Sequence, residues 1–109
     1  MKLLLVTSLK EYQKTITTIM DRAGIEVFSV TETIGFRDHH APVLLDNWFS
    51  SGNEQADSIF LFSFTEESKT DHALNLIVQH NNENKTGFPI RAFVLPVEKS
   101  TYDLTVTKN

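Results

Sequence analysis

Two short runs, Leu3 to Val6 and Ile59 to Phe64, are apolar at almost every position. A strand with one wet face alternates apolar and polar residues, whereas a run that is apolar on both faces belongs inside a sheet. In the first run Leu3 and Leu5 oppose Leu4 and Val6; in the second Phe60, Phe62 and Phe64 oppose Ile59 and Leu61. Any fold open to this chain has to place both runs centrally and deal with both of their faces.

Around these strands the apolar period becomes helical. Ser8 and Glu11 have the spacing of a capping box, which predicts a helix start at Ser8. Tyr12, Ile16, Ile19, Met20 and Ala23 form its core stripe, leaving Lys14, Thr17, Thr18, Asp21 and Arg22 to water. Gly24 stands where a left-handed C-terminal cap is wanted. Val27 to Ile34 reads as a strand nearer a sheet edge, with Phe28, Val30 and Ile34 on one face and Ser29, Thr31 and Thr33 on the other. Thr65 to Asp71 carries a second helix start. Ala73, Leu74, Ile77 and Val78 are its expected stripe, and it ends near Asn81 or Asn82. After a polar connection, Ile90 to Val97 reads as the last strand, with Pro96 near its end or on an edge because proline cannot donate to a ladder.

The order strand, helix, strand, repeated once, predicts an α+β ferredoxin-like βαββαβ sandwich, a four-stranded antiparallel sheet with both helices on one face. The 109 residues make one domain. Residues 1–98 form it, and 99–109 are read as a C-terminal tail. In this topology the first and third strands are central, in agreement with their apolar runs. Helices cover only one face, so an apolar face is left over. Burying a large apolar side chain is worth about 1.5–3 kcal/mol, which predicts a closed oligomer with its sheets turned inward.

Composition removes several function classes. A net charge of −4 does not suit phosphate neutralisation on nucleic acid. The absence of cysteine removes disulfides and thiolate chemistry and leaves histidine and carboxylates as the metal ligands. No apolar run is long enough to span a membrane, and Leu3 to Val6 is too short for a signal peptide, so a cytoplasmic protein without direct membrane insertion is expected. There is no nucleophile elbow and no Walker loop, and Glu66 and Glu67 read as helix-start charge, so no enzyme is expected. Residues 35–57 show no sustained period, which marks a functional loop. Trp48 and Phe49 within it suit either packing at the loop base or anchoring a partner.

The run Gly-Ile-Glu-Val-Phe-Ser-Val-Thr-Glu-Thr-Ile-Gly-Phe at 24–36 resembles, without a gap, the Gly-Ile/Val-x-Gly-x-Thr-Val-Thr-Glu-Val-x-Gly-Phe of the PII signalling family. Phe93 to Glu98 is similar to that family's final-strand Phe-Val-x-Pro-Val-Glu. The resemblance implies a cytoplasmic homotrimer that binds a small effector, commonly an adenine nucleotide (AMP, ADP or ATP), in clefts between subunits. It would signal through its long T-loop, here within 35–57, to a protein partner such as a membrane transporter or an enzyme. Carried over by position, Ser29 lies near the adenine, and Gly35, Phe36, Arg37 and Asp38 lie at the loop base beside the phosphates. Gly87 and Arg91 fall in the phosphate loop of the final strand. That loop, Thr-Gly-Lys-Ile-Gly-Asp-Gly-Lys in the family, is here Thr86-Gly87-Phe88-Pro89-Ile90-Arg91, two residues shorter and without Gly-Asp-Gly. The tail from Lys99 to Asn109 has no arginine. AMP, ADP, ATP, another small effector or none stay open on this reading.

A metal-responsive PII-like or CutA-like protein is the competing reading. It takes His39 and His40 as ligands for zinc or copper, which imidazole suits. His72 and His80 lie more than two helical turns apart on the second helix and do not share an ion within one chain.

Overall fold

The computed structural model describes residues 1–36 and 55–102. The chain forms β1 (Lys2–Leu9), a 3₁₀ turn (Lys10–Tyr12), α1 (Gln13–Arg22), β2 (Ser29–Phe36), β3 (Gln55–Thr65), α2 (Glu67–Glu83) and β4 (Arg91–Pro96). The four strands make one antiparallel sheet in the order β2-β3-β1-β4. This is the expected ferredoxin-like sandwich, with β1 and β3 central. Pro96 ends an edge strand, where its missing N–H costs no ladder bond.

The core lies between the sheet and the two helices. Leu4 and Val6 of β1 and Ile59 and Leu61 of β3 are buried against Ile16, Ile19 and Met20 of α1 and Ala73, Leu76 and Ile77 of α2. Ile25 and Ile90 join the same cluster from the connections that follow α1 and α2. Tyr12 packs against this cluster and Met20 is fully buried, as their places in the helical stripe predict.

Gly24 ends α1 as expected. Its φ is +79°. Its N–H donates to the Asp21 carbonyl at 3.1 Å, and the Ile25 N–H donates to the Met20 carbonyl at 2.9 Å. This pair of bonds is a Schellman cap, and it turns Ile25 back into the core.

Four local expectations are corrected. Ser8 does not cap a helix. It is buried in β1 opposite Ile59, and its hydroxyl donates to the Leu9 carbonyl at 2.9 Å. Pairing along the whole of β1 outweighs the local box, and α1 begins at Gln13 without a side-chain cap. The buried face of α2 is also rotated from the expected stripe. Thr70 is fully buried, its hydroxyl satisfied by the Glu67 carbonyl at 2.8 Å, and Leu76 is buried, whereas Val78 is 57% exposed. Internal satisfaction of that hydroxyl lets a polar residue take a core position. β2 begins at Ser29 rather than Val27, the Val27 carbonyl accepting instead from the Ser63 hydroxyl at 2.7 Å. The β2–β3 ladder, finally, runs past Ile34 through Gly35↔Ala56 to Phe36↔Gln55. Gly35 and Phe36, expected at the start of the aperiodic 35–57 segment, are strand residues. Backbone pairing needs no apolar alternation, so this extension leaves little hydrophobic signal.

Replacing Gly24 by alanine tests the cap. The new methyl would meet Lys69 Cε at an ordinary 3.7 Å, so the cost is conformational. The expected loss is about 1 kcal/mol of unfolding free energy, read as a lower urea midpoint with an unchanged m-value.

Candidate functional site

The sheet face turned away from the helices is apolar. Directly paired residues share a face, so Leu3 lies between Phe64 and Leu95, and Leu5 lies between Phe62 and Phe93. Phe64 is 55% exposed, Leu95 42% and Phe93 38%. Along β3 the rings form a ladder: Phe60 and Phe62 have centroids 6.1 Å apart, and Phe62 and Phe64 meet edge to face at 6.2 Å. The helices α1 and α2 pack on the opposite face, against Leu4, Val6, Ile59 and Leu61.

The expected effector residues divide between the two edges of this sheet. Ser29 is the first residue of β2, exposed, and opposite Phe62. Gly35 and Phe36 end the same edge strand. Arg91 opens β4 on the other edge, half-buried and opposite Thr7, and Gly87 lies in the connection before it. Three strand spacings, about 14 Å, separate β2 from β4. One chain therefore places Ser29 at one end of β2 and Gly35 and Phe36 at the other, about 20 Å along the strand, with Gly87 and Arg91 at the opposite edge of the sheet, and it brings these positions together nowhere as one site. Arg37, Asp38, His39 and His40 lie outside the described residues.

Arg91 borders a cavity of about 290 Å³ between α2 and β4, lined also by Leu74, Val78, Asn81 and Phe93. A larger cavity, about 390 Å³, lies between α1 and α2 beside Lys14, Thr18, Arg22, Gln79 and His80 and touches neither edge. Among the described residues no three histidine or carboxylate groups converge as a metal site would require. Among them, too, no helix is long and apolar enough to cross a membrane.

Sequence reading passed over Asn81 as a helix-end residue. Its side chain bonds both main-chain groups of Ile90, accepting from the N–H at 3.0 Å and donating to the carbonyl at 2.9 Å. The Phe88 N–H donates to the Thr86 hydroxyl at 3.0 Å. An asparagine in the last turn ahead of a proline-containing connection is the only local signal for this arrangement, since its partner lies beyond the proline.

The fold is that of the PII-like signalling proteins. The chain is similar to the crystal structure of a protein from Thermus thermophilus described as a PII-like signaling protein, at a TM-score of 0.58 and 16% identity, covering 96% of this chain and 94% of that one. It is similar also to CPII, a nitrogen regulatory PII-like protein from Thiomonas intermedia bound to ADP, AMP and bicarbonate, at a TM-score of 0.57 and 13% identity over 91% of this chain and 93% of that one. No protein-family model and no curated protein matches the chain by sequence.

Gly87 is not required as a glycine by the chain itself. A methyl there meets nothing within 4 Å, and its φ is not in the left-handed region. Gly87→Ala should leave the urea midpoint unchanged to within about 0.5 kcal/mol of stability. A larger loss would show that the connection depends on a close approach at this position.

Proposed function

We propose that the chain is a divergent PII-like regulatory protein that works as a homotrimer. On this reading it senses a small effector, an adenine nucleotide, between subunits, and passes the state to a protein partner through the segment between β2 and β3. The observation that carries the reading is the likeness of the fold to PII-like proteins, one of them bound to ADP and AMP, in a sheet that sets the candidate residues on opposite edges beside an apolar face that α1 and α2 leave open. Such a site is complete only when the β2 edge of one copy approaches the β4 edge of another. Packing the open faces together provides both the drive for assembly and the approach of the edges. Ser29 then stands at the adenine end and Arg91 at the phosphate end, with Gly35, Phe36, Arg37 and Asp38 at the base of a T-loop within 35–57. Residues 1–98 are the regulatory domain and 99–109 the tail. On this reading it acts in the cytoplasm, by docking rather than by turnover. No observation among the described residues favours zinc or copper at His39 and His40.

Light scattering at micromolar concentration is expected to give the mass of three chains. Phe64→Glu with Leu95→Glu, both exposed in the single chain, should reduce it to one while leaving the far-ultraviolet circular dichroism unchanged. A monomeric wild type would remove the basis for the inter-subunit site.

Calorimetric titration with AMP, ADP and ATP tests the effector. Losing a charge-assisted hydrogen bond costs about 1.5–3 kcal/mol, so Arg91→Ala should weaken binding about tenfold or more. Equal affinities for wild type and variant would take Arg91 out of the site.

A further inference from the structure

The connection from α2 to β4 is where the proposed site would meet the phosphate end of a nucleotide, and most of its last main-chain donors are already engaged. The Ile90 N–H is held by Asn81 Oδ1, and the Ile90 carbonyl by Asn81 Nδ2. Only one orientation of the Asn81 amide satisfies both bonds. The Phe88 N–H is held by the Thr86 hydroxyl, and Pro89 has no N–H. From Phe88 to Ile90, therefore, no main-chain donor is left for a ligand. A polyphosphate chain is usually cradled by successive N–H groups converging on its oxygens. Next to this closed stretch stand the Gly87 N–H and the Arg91 guanidinium, whose fork matches the oxygens of a single phosphate.

We infer, resting on the reading that the effector is an adenine nucleotide, that Asn81 is a positioning residue that sets the site for a nucleoside monophosphate. It anchors the connection to the end of α2, holds Arg91 at the head of β4, and withholds the Ile90 amide that would otherwise turn toward further phosphates. Recognition then rests on the nucleoside and one phosphate, and additional phosphates bring no added affinity.

Titration of the wild-type protein with adenosine, AMP, ADP and ATP in magnesium-free buffer tests the ligand class. AMP is expected to bind at least tenfold more tightly than adenosine, with ADP and ATP no more than about threefold tighter than AMP. ADP or ATP binding more than about threefold tighter than AMP, or AMP binding less than tenfold tighter than adenosine, would overturn the inference and leave the adenine-nucleotide reading standing. No binding of any of the three nucleotides would overturn that reading and the inference with it. Asn81→Ala, and Asn81→Asp as the variant that keeps the acceptor for the Ile90 N–H, test the positioning role by amide hydrogen exchange. Exchange at Ile90 should accelerate at least tenfold in Asn81→Ala and less in Asn81→Asp, with AMP affinity falling in the same order. Faster exchange with unchanged AMP affinity in a folded variant would overturn the role given to Asn81.

Discussion

The antiparallel ladder between β1 and β3, from Lys2↔Thr65 to Leu9↔Ser58, brings two strands that are apolar on both faces to the centre of the sheet. Two helices can cover only one side of it. Leu4, Val6, Ile59 and Leu61 consequently disappear beneath α1 and α2, while Phe62, Phe64, Phe93 and Leu95 come to lie on the face away from them. The same ladder that completes a core in one direction thus leaves an unfinished one in the other. The energetics favour a second layer, and the proposed trimer supplies it from copies of the same sheet.

The two edges inherit their roles from this arrangement. With β1 and β3 in the middle, β2 and β4 are outermost, and residues far apart in sequence are held far apart in space as well. On the proposed reading Ser29 and Arg91 stand on opposite edge strands, and neither completes the effector site inside its own chain. A binding function built on them is therefore a property of assembly, and effector occupancy and subunit contact become linked wherever an effector binds. Asn81 adds a local constraint at the β4 edge. By bonding Ile90 on both sides it makes the connection resemble a short extension of ordered structure rather than an open cradle of amides.

Much of the framework is legible in single residues. The apolar run of Leu3 to Val6 marks a central strand, the stripe of Ile16, Ile19 and Met20 marks the buried side of α1, and Gly24 marks the turn that ends it. Each is a local pattern whose physical cause acts over a few residues. Ser8 shows where such reading stops, because its spacing to Glu11 is that of a cap, yet pairing with Ile59 keeps it in the ladder. Thr70 does the same for α2, where a hydroxyl satisfied within its own helix occupies a place that hydrophobicity alone assigns elsewhere.

The sequence by itself determined the order of elements, the two central strands, most of the α1 interface and the presence of a surplus apolar face. Periodicity encodes these, since every turn of helix and every pair of strand residues must choose between core and water. Only the tertiary structure decided that Ser8 stays in the β1 ladder, that the β2–β3 ladder continues through Gly35 and Phe36, and that Asn81 engages the last main-chain donor before Arg91. Those features depend on which backbone groups meet across the sheet or across a connection, and a hydrogen bond between distant main-chain atoms leaves almost no trace in side-chain pattern.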